Sequence, residues 1–258
     1  MFLDGIAPFT VVLLCLVALA AGWIDAVSGG GGLLQLPSLL IALPQAPPAT
    51  AMGTNKLSSI IGTAAAARTY MQQVTLDLST AMPMMVAAFI GSAAGSALAT
   101  SIPAHIYKPI IFVMLVAVWV WTLLRPAMGE QDNLRWDGTT HRVIATIAGA
   151  LIGFYDGLIG PGTGAFLLIT LVALLGYSFL AASATAKLVN LGTNLASIIV
   201  FGFTGNVLWL LGLLMGGFNL VGGVLGARTA VKRGSKFVRI VFLTVVGLLI
   251  LRLAFDVF

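Results

Sequence analysis

The sequence predicts an all-α polytopic membrane protein. Two inverted-topology repeats carry about five hydrophobic segments each, 8–10 segments in total, with Gly-broken half-helices in each repeat. Three observations lead there. The chain has 258 residues, 59% of them hydrophobic and 8% charged, with a mean hydropathy of +1.07. Soluble domains carry about 25% charged residues, so a chain this apolar belongs in a bilayer. Next, a long apolar run leads into Asp25 and ends in the four glycines 29–32, and the same device returns at Asp156 with Gly160-Pro161-Gly162-Thr163-Gly164. Finally, the two acids lie 131 positions apart (156 − 25 = 131), and that offset carries far beyond them.

At offset 131, Gly22, Asp25, Gly29, Gly31, Thr54, Lys56, Leu57, Gly91 and Gly95 fall on Gly153, Asp156, Gly160, Gly162, Thr185, Lys187, Leu188, Gly222 and Gly226. Two apolar stretches share leucines by accident. They do not readily share an acid, a lysine and a broken glycine register in one ungapped alignment, so the chain reads as a duplication.

Taken in order, 6–27 is long enough to span a bilayer at about 1.5 Å per residue. The segment 33–43 is too short, holds Pro37 and ends at Pro44, so it reads as a half-helix or re-entrant piece. Pro47-Pro48 turns the chain into a third segment, 49–67, interrupted by Thr54-Asn55-Lys56. A polar loop is expected over 68–77. A span then runs to about residue 100, with Pro83 near a start that tolerates proline. Pro103 marks the next turn, and 107–124, with Trp119 and Trp121 near one end, closes the first half. Residues 126–141 form the one long polar stretch and read as the linker between repeats 6–125 and 142–258. The second half repeats the pattern at 143–159, 165–176, 181–203, 207–230 and 238–255.

Loop charge sets orientation. Arg228, Lys232, Arg233, Lys236 and Arg239 crowd one loop, whose first-half counterpart holds only His105 and Lys108. Equivalent loops on opposite sides, and an odd number of segments per half, both call for inverted repeats. That loop, Arg68 and the linker with Arg125, Arg135 and Arg142 then lie in the cytoplasm, and both termini outside. The expected location is the inner (cytoplasmic) membrane, with the lipid bilayer as partner and homo-oligomerisation left open. Met1-Phe2-Leu3-Asp4 puts no basic residue before the first apolar run, so no removable signal peptide is expected. The net charge of +5 sits in short loops, without any basic-aromatic patch, which argues against nucleic-acid binding. The single cysteine, Cys15, excludes an internal disulfide and reads as a buried hydrophobe.

Lys56, Lys187, Asp25 and Asp156 stand inside apolar segments. Each charge near the bilayer centre costs about 2.5–3.5 kcal/mol on insertion scales. Two readings fit: Asp–Lys pairs that lock the halves together, or lysines facing an anionic substrate with the acids as proton carriers or counter-ions. The two coexist if a pair exchanges partners. The glycine breaks favour a site, because half-helices starting near Leu33 and Ala165 aim free N–H groups and a positive dipole end at the break. Gly31, Gly32, Gly162 and Gly164 are candidates there, with close helix packing as the other reading. Gly91, Gly95, Gly222 and Gly226 read as packing glycines. Thr54, Asn55, Asn190 and Asn194 are candidate lining residues, alongside Thr185, Gln35, Ser28 and Tyr155. Lys187, Asn190 and Asn194 share one helical face. Asn55 falls on Ala186 and Ser59 on Asn190, so the two half-sites are not chemically equal.

The run Gly22-Trp23-Ile24-Asp25-Ala26, the glycines 29–32 with Leu33, Pro37-Ser38-Leu39-Leu40, Gly53-Thr54-Asn55-Lys56-Leu57 and Gly153-Phe154-Tyr155-Asp156-Gly157 with Gly160-Pro161-Gly162-Thr163-Gly164 together resemble the sulfite exporter TauE/SafE family. The likeness covers nearly the whole chain and is nearest to the bacterial branch labelled probable membrane transporter protein. It implies a two-repeat transporter, often an exporter, of sulfite, organosulfonates or related small sulfur-containing and carboxylate anions.

No G-x4-G-K-[ST] motif is present, so energy is expected from a gradient, with protons favoured by the two acids. No cofactor and no metal are expected. An intramembrane aspartyl protease would need a Gly-x-Gly-Asp setting, which the chain lacks, and gives the lysines no role. A passive anion channel would share the site but lack coupling.

Overall fold

The structure is a computed structural model that describes residues 6–99, 116, 119–120, 122–124 and 129–257. Among these residues every regular element is helical: α1 (Pro8–Ser28), α2 (Gly31–Ala42), α3 (Pro48–Met71), α4 (Leu78–Leu98), α5 (Gly138–Leu158), α6 (Thr163–Thr170), α7 (Phe179–Phe203) and α8 (Trp209–Val257). A π-helical turn, Leu171–Leu175, continues α6. The chain is therefore all-helical and multi-pass. Four of the described helices are long and apolar enough to cross a bilayer: Pro8–Ser28, Leu78–Leu98, Phe179–Phe203 and Trp209–Leu248. Phe9, Ile90, Leu151 and Phe203 are exposed on its perimeter, where lipid rather than water is the natural solvent.

Local chemistry sets the helix ends. Pro8 and Pro48 stand at the first turns of α1 and α3, where a missing N–H costs nothing. Asp77 caps α4: its Oδ1 accepts from the Ser79 backbone N–H at 3.0 Å, and its Oδ2 from Thr80 Oγ1 at 2.6 Å. Gly29 ends α1 with φ of 79°, and its N–H bonds the Asp25 carbonyl at 2.9 Å.

Several boundaries differ from expectation, each for a local reason. The polar stretch from Arg68 begins as helix, because α3 runs to Met71 with Tyr70 buried and its hydroxyl bonded to Ala26 O at 2.9 Å. The Asp77 cap starts α4 earlier, so Pro83 lies inside the helix rather than in its first turn. Helix α5 begins at Gly138, within the expected linker. The last two expected spans form one element with a non-helical joint at Gly234 (φ 74°, ψ −175°). The expected segment 107–124, with Pro103, His105, Lys108 and Arg125 around it, falls largely outside the described residues. What is described of it follows the far arm of α8: Trp119 Nε1 donates to Leu243 O at 2.8 Å, and Arg239 Nη2 to Thr122 O at 2.9 Å.

The two short helices fold back. Leu36 and Leu39 of α2 pack with Leu14 and Cys15 of α1 and with Ala51 of α3, so α2 returns toward the start of α1. The turn after α6 behaves likewise, with the Gly176 carbonyl accepting from Asn133 N and the Leu174 carbonyl from Trp136 Nε1, both just ahead of α5. Both pieces thus fold back along the helix before them.

Close packing follows the 131-residue offset. A side chain at Gly222 would meet the Leu19 carbonyl, and one at Gly91 the Ala150 carbonyl (91 + 131 = 222; 150 − 131 = 19). Gly226 stands in the same way against Trp23, and Gly95 against Phe154. Each of these four contacts between a first-half and a second-half residue has a partner contact with the halves exchanged. Without a hydrophobic drive between helices in lipid, such close backbone approach is a main source of their attraction.

Candidate functional site

The two hairpin breaks meet. A Cβ at Gly164 would lie 2.6 Å from Gly29 Cα, so backbone crosses backbone there. The acids sit one turn before each break, in the last turns of α1 and α5. The lysines come from the middle of α3 and α7. Lys56 Nζ lies 2.6 Å from Asp156 Oδ1, and Lys187 Nζ lies 2.7 Å from Asp25 Oδ2. These pairs also exchange under the offset (25 + 131 = 156; 187 − 131 = 56), and each joins one half to the other. Burial forces the pairing: Lys56, Lys187 and Asp156 are 3%, 1% and 1% exposed. A lone charge at such a site carries a penalty of several kcal/mol.

Between the pairs is a narrow polar cavity of about 20 Å³, the size of one water molecule. Asp25, Asn55, Lys56, Asp156, Asn190 and Asn194 line it, with Gly32, Gly162 and Gly164 from the breaks. Of the candidates from sequence, three stand apart. Lys187 reaches the cavity only through Asp25. Thr54 donates to Thr50 O at 2.7 Å and accepts from Leu208 N at 3.0 Å, fastening the loop before α8. Gly31 is packed against Ala21 and Asp25 of α1. Among the secondary candidates, Gln35 accepts from Asn219 Nδ2 at 2.8 Å, Ser28 donates to Ile24 O at 3.1 Å, and Tyr155 donates to Pro161 O at 2.6 Å.

Ser59 and Thr163 also line the cavity and were not singled out as ligands from the sequence. The offset could have found Ser59, which matches Asn190. Nothing repeated marks Thr163, because its counterpart is Gly32. Thr163 Oγ1 lies 2.6 Å from Asp156 Oδ1 and 2.7 Å from Gly160 O. Asp156 Oδ2, Asn55 Oδ1 and Asn194 Nδ2 are buried with no hydrogen-bond partner among the described residues. Orphaned buried polar atoms are costly, and here three of them belong to residues lining one cavity. Among the described residues, no cluster of three His, Cys, Asp or Glu side chains could hold a metal ion.

Helices with an apolar perimeter, re-entrant breaks and paired charges at their centre define a multi-pass membrane protein with a polar interior site. The family model described as sulfite exporter TauE/SafE matches residues 14–253, and the chain belongs to that family. It is 36% identical over 254 residues to "Probable membrane transporter protein ORF9" of Sinorhizobium sp, covering 98% of this chain and 96% of that protein. It is 34% identical to "Probable membrane transporter protein" of Haemophilus influenzae over 88% of each chain. With "Probable membrane transporter protein YfcA" of Escherichia coli strain K12 it shares 32% identity, over 97% of this chain and 92% of that one. No solved structure matches the chain.

Proposed function

We propose that the chain is a secondary transporter, an exporter in the cytoplasmic membrane, of a small anion such as sulfite, an organosulfonate or a related sulfur-containing or carboxylate anion, coupled to protons. The observation that carries this reading is the pair of buried Lys–Asp bridges joining the two halves around one polar cavity. Lys56, once Asp156 releases it, and two half-helix N-termini form an environment for an anion. The names of the relatives agree with transport.

The working unit is the pair of repeats 6–125 and 142–258, joined by the linker 126–141. Inverted topology is supported by helix direction. Gly53, near the start of α3, packs on Phe201, near the end of α7, so these equivalent helices run antiparallel. The pairs Leu19 with Gly222 and Trp23 with Gly226 run in step, so α1 and α8 are parallel. The linker and the basic joint share one end: Lys236 Nζ lies 3.7 Å from Glu130 Oε2, and Leu180 N donates to Ser235 Oγ at 3.3 Å. That end is the cytoplasmic one by its positive charge. A cavity the size of one water is too small for sulfite, so rocking of one half against the other has to widen it and open it to each side in turn.

Lys187→Ala tests the reading. Asp25, its partner, has a side chain 17% exposed and lines the cavity, so its charge stays hydrated. The variant is expected to fold, checked by circular dichroism and monodisperse elution. Its uptake of sulfite and isethionate into proteoliposomes is expected to fall to the level of empty vesicles. Wild-type rates would remove this lysine from the mechanism.

A further inference from the structure

Resting on that reading, we propose that anion and proton travel together and electroneutrally, with Lys56 as the anion's contact and Asp156 as the proton's. The two charged pairs are not equivalent. Lys56 and Asp156 both line the cavity, whereas of the other pair only Asp25 does. Thr163 Oγ1 has one hydrogen for two acceptors, Asp156 Oδ1 and Gly160 O. A proton on the Asp156 carboxyl resolves that conflict: the acid donates to Thr163 Oγ1, which turns its own hydrogen to Gly160 O. Asp25 has no such hydroxyl, because Gly32 stands where Thr163 would be. The free Asp156 Oδ2 gives the carboxyl a second place to take a proton.

The charges that face Asp156 are Lys56 from α3, Asp25 from α1 and, behind Asp25, Lys187 from α7. Before binding, the Lys56–Asp156 unit is neutral. If a monovalent anion alone replaced Asp156 at Lys56, the buried unit would carry one net negative charge. If a proton from bulk water joins Asp156 as the anion pairs with Lys56, the unit is neutral again. The carboxylate lone pair takes the proton, the Lys56–Asp156 contact breaks and the Lys56–anion contact forms. Proton and anion then favour each other's binding, which is the condition for movement in the same direction. Export therefore runs when the anion's outward gradient exceeds the inward proton gradient.

Methanesulfonate and isethionate are the probes, since neither crosses lipid as a neutral acid. Proteoliposomes carrying a trapped pH dye are given an inward gradient of either anion. The expected result is one proton entering per anion, with accumulation unchanged by a potassium–valinomycin potential of 100 mV; a net charge moved would shift it about 50-fold. Asp156→Asn, with a neutral side chain at that place, is expected to exchange anion without acidification, and Asp156→Glu to restore acidification. Anion flux that follows the potential, or acidification that survives in Asp156→Asn, would overturn the coupling while leaving a transporter. Absence of flux for both probes in the wild type would overturn the organosulfonate reading, and the coupling with it.

Discussion

Lys56→Met is expected to lower the stability of the purified protein by about 3–5 kcal/mol, because it leaves Asp156 buried without its partner. Asp156→Leu is expected to do comparable harm from the other side, stranding Lys56. The double variant Lys56→Met/Asp156→Leu is expected to recover most of the lost stability and to transport nothing. A buried ion pair replaced whole by apolar groups costs little, whereas one broken in half costs much. Thermal unfolding in detergent, with flux of isethionate in proteoliposomes, reads both. A double variant that transports normally would reduce the pair to a lock between the halves. A double variant as unstable as the singles would show that the two charges are not coupled.

Gly29→Ala is expected to be among the most damaging single-carbon changes. Gly29 has φ of 79°, a conformation that L side chains adopt at a cost of about 1–2 kcal/mol. A Cβ there would also run into the backbone of Gly164 and Ala165, adding overpacking of about 1–3 kcal/mol. Gly205→Ala separates the two terms: φ is 72° and a Cβ would meet nothing within 4 Å. Only Gly29→Ala is therefore expected to lose both stability and transport; equal effects in the two variants would deny that the crossing of the breaks matters.

The helix breaks and the four buried charges were legible because each recurs in the sequence. An offset of 131 aligns the acids, lysines and glycines without gaps, and burial of the charges follows from the apolar sequence around them. Pairing across the repeat interface was one of the two readings that the duplicated acids and lysines suggested. The structure pairs them across. Thr163 was missed as a cavity-lining residue for the opposite reason, as a single unrepeated hydroxyl. Thr54 looked like a lining residue because it precedes Asn55 and Lys56, but on a helix neighbours in sequence face different ways, and its hydroxyl holds Leu208. Helix ends were misread at Arg68 and Pro83, where burial of Tyr70 and the Asp77 cap outweigh polarity and proline.

The most direct test of a shared site opening to each side uses Ser59, which lines the cavity without pairing a charge. With the single native cysteine removed as Cys15→Ala, Ser59→Cys is labelled with a membrane-impermeant methanethiosulfonate in right-side-out and in inside-out vesicles. Labelling from both faces is expected, slowed from either face by isethionate. Labelling from one face only, or from neither, would contradict alternating access through this cavity.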